Sequence, residues 1–205
     1  MTPSYWKKAT THLTKACPVM GDLIRSYPGE IMTGRGDAFY TLLRSIVGQQ
    51  ISVKAADSIW NKLMAKVKPI TPGKILRCRD TTLRTVGLSG QKVLYCKELA
   101  RYFSQPHVTS DYFHALDDDA VIKELVSIKG IGKWTAEMFL LFHMQRPDIY
   151  PLQDIGMIKA IERYYAGGNK LTRDELIAHG ERWRPYRSVA TWYLWRALDP
   201  VPVAY

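Results

Sequence analysis

With 205 residues, 46% of them hydrophobic and 23% charged, the chain can fill one core or two small packed lobes, which excludes wholesale disorder. No run of about 18 uninterrupted apolar residues occurs, and the first residues carry charges and Pro where a secretory leader would carry an apolar core. A membrane span is therefore excluded, a soluble cytoplasmic chain is expected, and the net charge of +10 is compatible with a polyanionic partner without requiring one.

The apolar spacing is helical almost throughout, and strand-like alternation is nearly absent, so the expected fold class is all-α. Residues 13–24 are apolar enough to pack. In residues 38–66 the apolar positions Phe39, Leu42, Leu43, Ile46 and Val47, then Ile51, Ala55, Ile59 and Leu63, predict two helices broken at Gly48. Thr71-Pro72 reads as an N-cap with Pro at the first helical position, opening a short helix through Leu76, and another follows over residues 81–86. The stretch Val86-Gly87-Leu88-Ser89-Gly90-Gln91-Lys92 is either a phosphate contact or a plain capped turn, and an amphipathic helix runs from Gln91 to near Ser104. Asp117-Asp118-Asp119 caps a helix electrostatically, Thr172-Arg173-Asp174-Glu175 is a capping box, and residues 186–198 predict a buried last helix.

Three cysteines, Cys17, Cys78 and Cys96, show neither a CxxC pair nor a metal-ligand rhythm. No zinc site and no iron–sulfur cluster is expected from them; reduced, partly buried thiols are.

Two segments carry chemistry. In Leu125-Val126-Ser127-Ile128-Lys129-Gly130-Ile131-Gly132-Lys133-Trp134-Thr135-Ala136, a tight glycine turn joins two helical patterns. Gly130 and Gly132 permit backbone angles denied to other residues, and the helix opening near Lys133 offers its N–H groups and positive dipole end to an anion. Alone, a GxG between helices is as well explained by a plain turn. The whole string resembles the helix-hairpin-helix motif, which implies DNA-phosphate contacts from Gly130, Gly132, Lys133 and Thr135. It also implies a monovalent cation, Na+ or K+, on the carbonyls of Val126, Ile128 and Ile131.

The second segment is Asp148-Ile149-Tyr150-Pro151-Leu152-Gln153-Asp154-Ile155-Gly156. Asp154 follows a Pro-containing loop and precedes an apolar helical run, so it reads as an N-cap, a role Asp fills routinely. A rigidly held carboxylate also suits N-glycosidic cleavage, where it stabilises the oxocarbenium character that the sugar develops as the base leaves. The two roles are compatible. A hairpin, then a loop with Pro, then this acid resembles the helix-hairpin-helix (HhH-GPD) DNA glycosylase superfamily, most closely its 3-methyladenine DNA glycosylase II branch. Three segments carry that resemblance: Ile46-Val47-Gly48-Gln49-Gln50-Ile51-Ser52, the hairpin, and Trp183-Arg184-Pro185-Tyr186-Arg187-Ser188-Val189-Ala190.

The resemblance implies that Asp154 is catalytic, that Trp134 and Tyr186, with Met138 one turn from Trp134, line a pocket for a flipped alkylated purine, and that no cofactor is required. Members that also nick the strand carry a Lys where this chain has Trp134, with Lys133 one residue early, so a monofunctional enzyme leaving an abasic site is expected. Gln50 stands where some members of the branch place an apolar wedge. It is the expected intercalating side chain, although a helix-terminal polar pair would also explain Gln49-Gln50. Only about 35 residues precede the match, too few for the β-rich N-terminal domain of some relatives, so a compact form is expected.

Two helical lobes with a cleft between them are therefore expected, one over residues 38–115 and one over residues 1–37 with 116–205. The partner would be double-stranded DNA containing alkylated bases, bound by a monomer in the cytoplasm at the bacterial nucleoid, with no membrane involved. Two other readings remain open at the level of sequence: a non-catalytic helix-hairpin-helix module that only grips DNA backbones, and a glycosylase for deaminated or oxidised bases.

Overall fold

In the computed structural model, which describes residues 2–34 and 36–198, thirteen helices and no strand are found among the described residues, in agreement with the all-α expectation. Local chemistry sets most boundaries. Helix α1 (Trp6–Ala16) gives way at the extended Cys17 to α2 (Pro18–Ser26), which Pro18 opens at the position where a missing N–H costs nothing. Asp37 caps α3 (Ala38–Gly48) by accepting from the Tyr40 amide at 2.9 Å, and Ser52 caps α4 (Val53–Lys66). The break expected at Gly48 lies there, and its sharpest point is Gln50, a non-glycine residue at φ +57°.

Thr71 caps α5 (Pro72–Arg77), α6 (Asp80–Thr85) follows, and Ser89 caps α7 (Gly90–Tyr102). A short helix that the spacing did not predict, α8 (Ser110–His114), precedes α9 (Asp118–Val126), capped by Asp117 at 2.8 Å. Then come α10 (Lys133–Phe142), α11 (Ile155–Tyr165), α12 (Arg173–Glu181), opened by the Thr172–Glu175 capping box, and α13 (Arg187–Leu198).

The helices divide into two units: residues 2–34 join residues 140–198, and residues 36–139 form the other. In the terminal unit α1 packs on α2 and α13, and α11 packs on α13, around Leu13, Met20, Ile161, Trp183, Val189 and Leu194, all fully buried. Arg196 forks onto Glu30 at 2.6 and 2.8 Å, fastening the segment after α2 to α13.

In the middle unit α3 buries Leu42, Leu43, Ile46 and Val47 and packs on α4 and α7, and α7 packs also on α5 and α6. The unit extends past residue 115, where the end of the first lobe was expected, because residues 116–139 find their partners in the preceding segment. Phe113 packs edge-on to Phe139 at 5.2 Å, the Tyr102 hydroxyl donates to Glu124 at 2.9 Å, and Gln49 reaches the hairpin. No helix among the described residues is long and apolar enough to cross a membrane.

Candidate active site

Asp154 caps α11: its Oδ1 accepts from the Met157 amide at 2.6 Å and from the Trp195 indole Nε1 at 2.8 Å. The residue is 6% exposed. A carboxylate removed from water needs donors to replace its hydration, and the helix start and the indole supply them, with the α11 dipole adding favourable potential. Gly156 makes room for this arrangement, because a Cβ there would lie 3.2 Å from Asp154 Oδ1 and 3.4 Å from the Trp195 ring. Trp195 is held in turn by stacking on Phe142, with ring centroids 5.9 Å apart.

The loop that delivers Asp154 is fastened before it reaches the helix. Asp148 takes Arg187 Nε and Nη2 at 2.8 Å each and Arg184 Nη1 at 2.9 Å. The Ile149 amide donates to the Ser188 hydroxyl at 2.9 Å, and that hydroxyl donates to the Arg146 carbonyl at 2.6 Å. Tyr150 lies under the Arg187 guanidinium and donates its hydroxyl to the Leu176 carbonyl at 2.6 Å, and burial pushes its phenol pKa up. Gly180 of α12 exists for this ring: a Cβ there would fall 2.4 Å from Tyr150. Side chains of α13 and of Arg184 just before it, with the backbone of α12, thus set the course of residues 146–154, and Asp154 emerges from a rigid support.

The middle unit holds a cavity of about 250 Å³, lined by Trp134, Met138, Gln50, Ile51, Arg44 and Gly48 among others. That is slightly below the roughly 300–1,000 Å³ of drug-sized ligand sites. Trp134 is half-buried and offers its indole to this space, while Met138 is 3% exposed. Arg44, which also lines it, pairs with Asp57 and lies over Trp60.

The hairpin between α9 and α10 uses its two glycines differently. Gly130 has φ +99°, and a Cβ there would sit 2.3 Å from the Tyr95 ring, so the fold itself demands glycine. At Gly132 a Cβ would meet nothing within 4 Å and the residue is exposed, so nothing inside the protein demands it. The buried side chains of Ile128 and Ile131 anchor the turn, and the Ile128 carbonyl accepts from the Ile131 amide at 3.0 Å. Val126 is exposed, and Lys133, 55% exposed, lies 3.9 Å from Glu137. Thr135 is buried.

Among the residues singled out from sequence, Trp134, Met138 and Gln50 line one cavity, with the hairpin in the same unit. Asp154 and Tyr186 belong to the terminal unit, where Tyr186 stacks on Tyr5 at 6.2 Å and takes His12 edge-on at 5.4 Å. Sequence reasoning missed Trp195, which lies 41 residues from the acid it serves, and no local signal marks it. It also missed the supporting roles of Asp148, Arg187 and Gln49. Gly156, two residues after Asp154, was the one legible hint that something large packs against the acid.

The sequence profile of the HhH-GPD superfamily of base excision DNA repair proteins matches residues 43–185. YfjP of Bacillus subtilis is 33% identical over 117 residues, covering 57% of this chain, and the chain spans only 41% of that relative's length. Among solved structures, a DNA-3-methyladenine glycosidase from Bacillus halodurans superposes with a TM-score of 0.83 at 30% identity, over 92% of this chain and 88% of the other. The Schizosaccharomyces pombe 3-methyladenine DNA glycosylase Mag1, solved with abasic DNA, gives a TM-score of 0.82 at 25% identity, over 97% and 100%.

Proposed function

Given that this chain belongs to the HhH-GPD superfamily of base excision DNA repair proteins, we propose that it is a monofunctional DNA glycosylase that releases alkylated purines such as 3-methyladenine and leaves an abasic site. The observation that carries the reading is Asp154, a dehydrated carboxylate held by the Met157 amide and the Trp195 indole on a braced loop. Its charge stabilises the sugar as the base departs, and its fixed direction orients or deprotonates the attacking water. An alkylated purine that is already cationic is a good leaving group and needs little acid assistance. A single strong carboxylate therefore suffices, where ordinary sugar hydrolases use a pair.

The aromatic and apolar walls of the middle-unit cavity suit a flipped base, with the Trp134 indole stacking on it and favouring positive charge, and Met138 filling beside it. Tyr186 is retained as a pocket residue by resemblance alone, since its ring is packed on Tyr5 and His12. Trp134, where strand-nicking relatives carry a Lys, supports hydrolysis without Schiff-base chemistry. Gln50 is the side chain proposed to fill the stack as the base leaves.

Double-stranded DNA is the proposed partner, gripped without base preference at the hairpin and by a monomer. The open space around Gly132 admits a phosphate close to the start of α10, Lys133 adds charge, and Thr135 lies in the first turn of that helix. The carbonyls of Val126, Ile128 and Ile131 suit a Na+ or K+: the Ile128 oxygen keeps one lone pair after accepting the Ile131 amide, and the exposed Val126 leaves the turn open to solvent. Such an ion, when bound, would supply positive charge toward the phosphate. The expected setting is the cytoplasm, on nucleoid DNA.

The test is base release from duplexes carrying 3-methyladenine, 7-methylguanine, ethenoadenine, hypoxanthine, uracil or 8-oxoguanine, by wild type and Asp154→Asn. Asp154→Asn is expected to keep its affinity for DNA and lose about a hundredfold or more in release of the methylated purines, corresponding to about 3 kcal/mol of electrostatic stabilisation. Binding without release by both proteins would leave only a DNA-gripping module. Preferred release of uracil or 8-oxoguanine would move the substrate class.

A further inference from the structure

The turn from α3 to α4 is held by two side chains that the reaction as described does not use. Gln49 Nε2 donates to the Gly130 carbonyl at 3.0 Å, so the residue immediately before Gln50 is bonded to the hairpin. Lys92 Nζ donates to the carbonyls of Val47 and Gln49 at 2.7 Å each. Carbonyls at a helix C-terminus lack partners within the helix and lie at its negative end, which is where an ammonium is most useful. Desolvation at this partly buried position lowers the Lys92 pKa.

Both supports come back to α7. Lys92 and Tyr95 stand three apart on that helix and so share a side of it. Lys92 reaches the end of α3, while the Tyr95 ring, bonded at its hydroxyl by Gln91 at 2.6 Å, fills the space a side chain at Gly130 would need. Gln50, exposed and at φ +57°, is thus a strained residue with its backbone pinned on one side by Lys92 and, through Gln49, by the phosphate-gripping hairpin. A conformation unfavourable by itself persists only where its surroundings impose it.

We propose that Gln49 and Lys92 are positioning residues that lock the Gln50 turn to the hairpin, so that gripping the backbone and inserting into the base stack are one rigid event. This rests on the glycosylase reading and on Gln50 as the inserted side chain. Neither residue meets the reacting atoms; each acts on extrusion of the base. Their loss should therefore slow release from a paired duplex and matter little where the lesion is already unpaired, since such a base costs less to flip.

The experiment compares single-turnover release of 3-methyladenine from a fully paired duplex and from the same duplex with the lesion in a single-nucleotide bulge. It uses the full chain as wild type, Gln49→Met, Lys92→Met and Lys92→Arg, with affinity for an abasic-site duplex and thermal stability measured alongside. Gln49→Met and Lys92→Met are expected to release base about tenfold more slowly from the paired duplex and within about twofold of wild type from the bulge, with Lys92→Arg intermediate. Fluorescence of 2-aminopurine placed opposite the lesion should report stack opening and fall in the same two variants. Equal slowing on both substrates, or no slowing on either, would overturn the coupling while leaving the enzyme assignment intact. A wild type that releases no base from any duplex would overturn both.

Discussion

The loop carrying Asp154 and the turn carrying Gln50 are both short irregular segments leading into a helix, yet only the first adds ion pairs to the side chains that bond its backbone. Residues 146–154 are fixed by charge on charge and by buried side chains: Asp148 between Arg187 and Arg184, Ser188 on the loop backbone, Tyr150 seated over Gly180. The Gln50 turn is fixed by side chains that bond backbone carbonyls, Lys92 on Val47 and Gln49, and Gln49 on Gly130. The difference follows from what each must present. A dehydrated carboxylate must keep its direction in a site where every stray dipole matters, so its support is dense and buried. A side chain meant to enter a base stack must remain exposed, so only its backbone can be held.

Five substitutions break or sharpen this contrast. Gly130→Ala combines a left-handed backbone with a methyl 2.3 Å from the Tyr95 ring, whereas Gly180→Ala adds only the clash with Tyr150 at 2.4 Å. Denaturant titration should find Gly130→Ala destabilised by about 4 kcal/mol and Gly180→Ala by about 2 kcal/mol, with hairpin function lost in the first only. Equal losses would mean that the turn tolerates its positive φ in alanine.

Arg187→Met removes the bidentate partner of Asp148, whose side chain and that of Arg187 are 21% and 16% exposed. Discounted for that exposure, the cost is about 2 kcal/mol of stability, accompanied by a fall in kcat with KM little changed as Asp154 loses its fixed direction. An unchanged kcat would show that the N-cap alone positions the acid. Trp195→Phe keeps the ring and removes the donor to Asp154. Base release should fall about tenfold and stability by about 1–2 kcal/mol, read by single-turnover kinetics and thermal melting.

Gly132→Ala is the smallest change to the protein and the most informative about its partner. Nothing lies within 4 Å of the added methyl, so stability should stay within about 0.5 kcal/mol of wild type. Affinity for duplex DNA should nonetheless weaken by about 1 kcal/mol, roughly fivefold, because the methyl occupies space reserved for a phosphate. Undiminished binding would remove the hairpin from the interface.

Most helix starts were legible because their signals are local. Ser52, Thr71, Ser89, Asp117, Asp154 and Thr172 each accept a backbone N–H three residues on, as short polar side chains before an apolar run predict. The five-residue helix α8 escaped because so short a piece carries no periodicity to read. Thr135, placed at the DNA backbone by resemblance to the motif, is buried, and position in a motif does not by itself say which face of a helix a side chain occupies.

Composition, periodicity and caps determined, without coordinates, that the chain is helical, where most helices begin, and that a glycine hairpin and a capping acid follow one another. Only the tertiary structure decided what surrounds them. It brought Trp195 to the acid across 41 residues of chain, placed residues 116–139 with the segment before them, and showed that Gly130 serves the fold while Gly132 faces outward. A cap or a period is fixed by neighbours within one or two turns, so it is written locally. The partner of a buried carboxylate is chosen by three-dimensional packing, in which distance along the chain carries no weight.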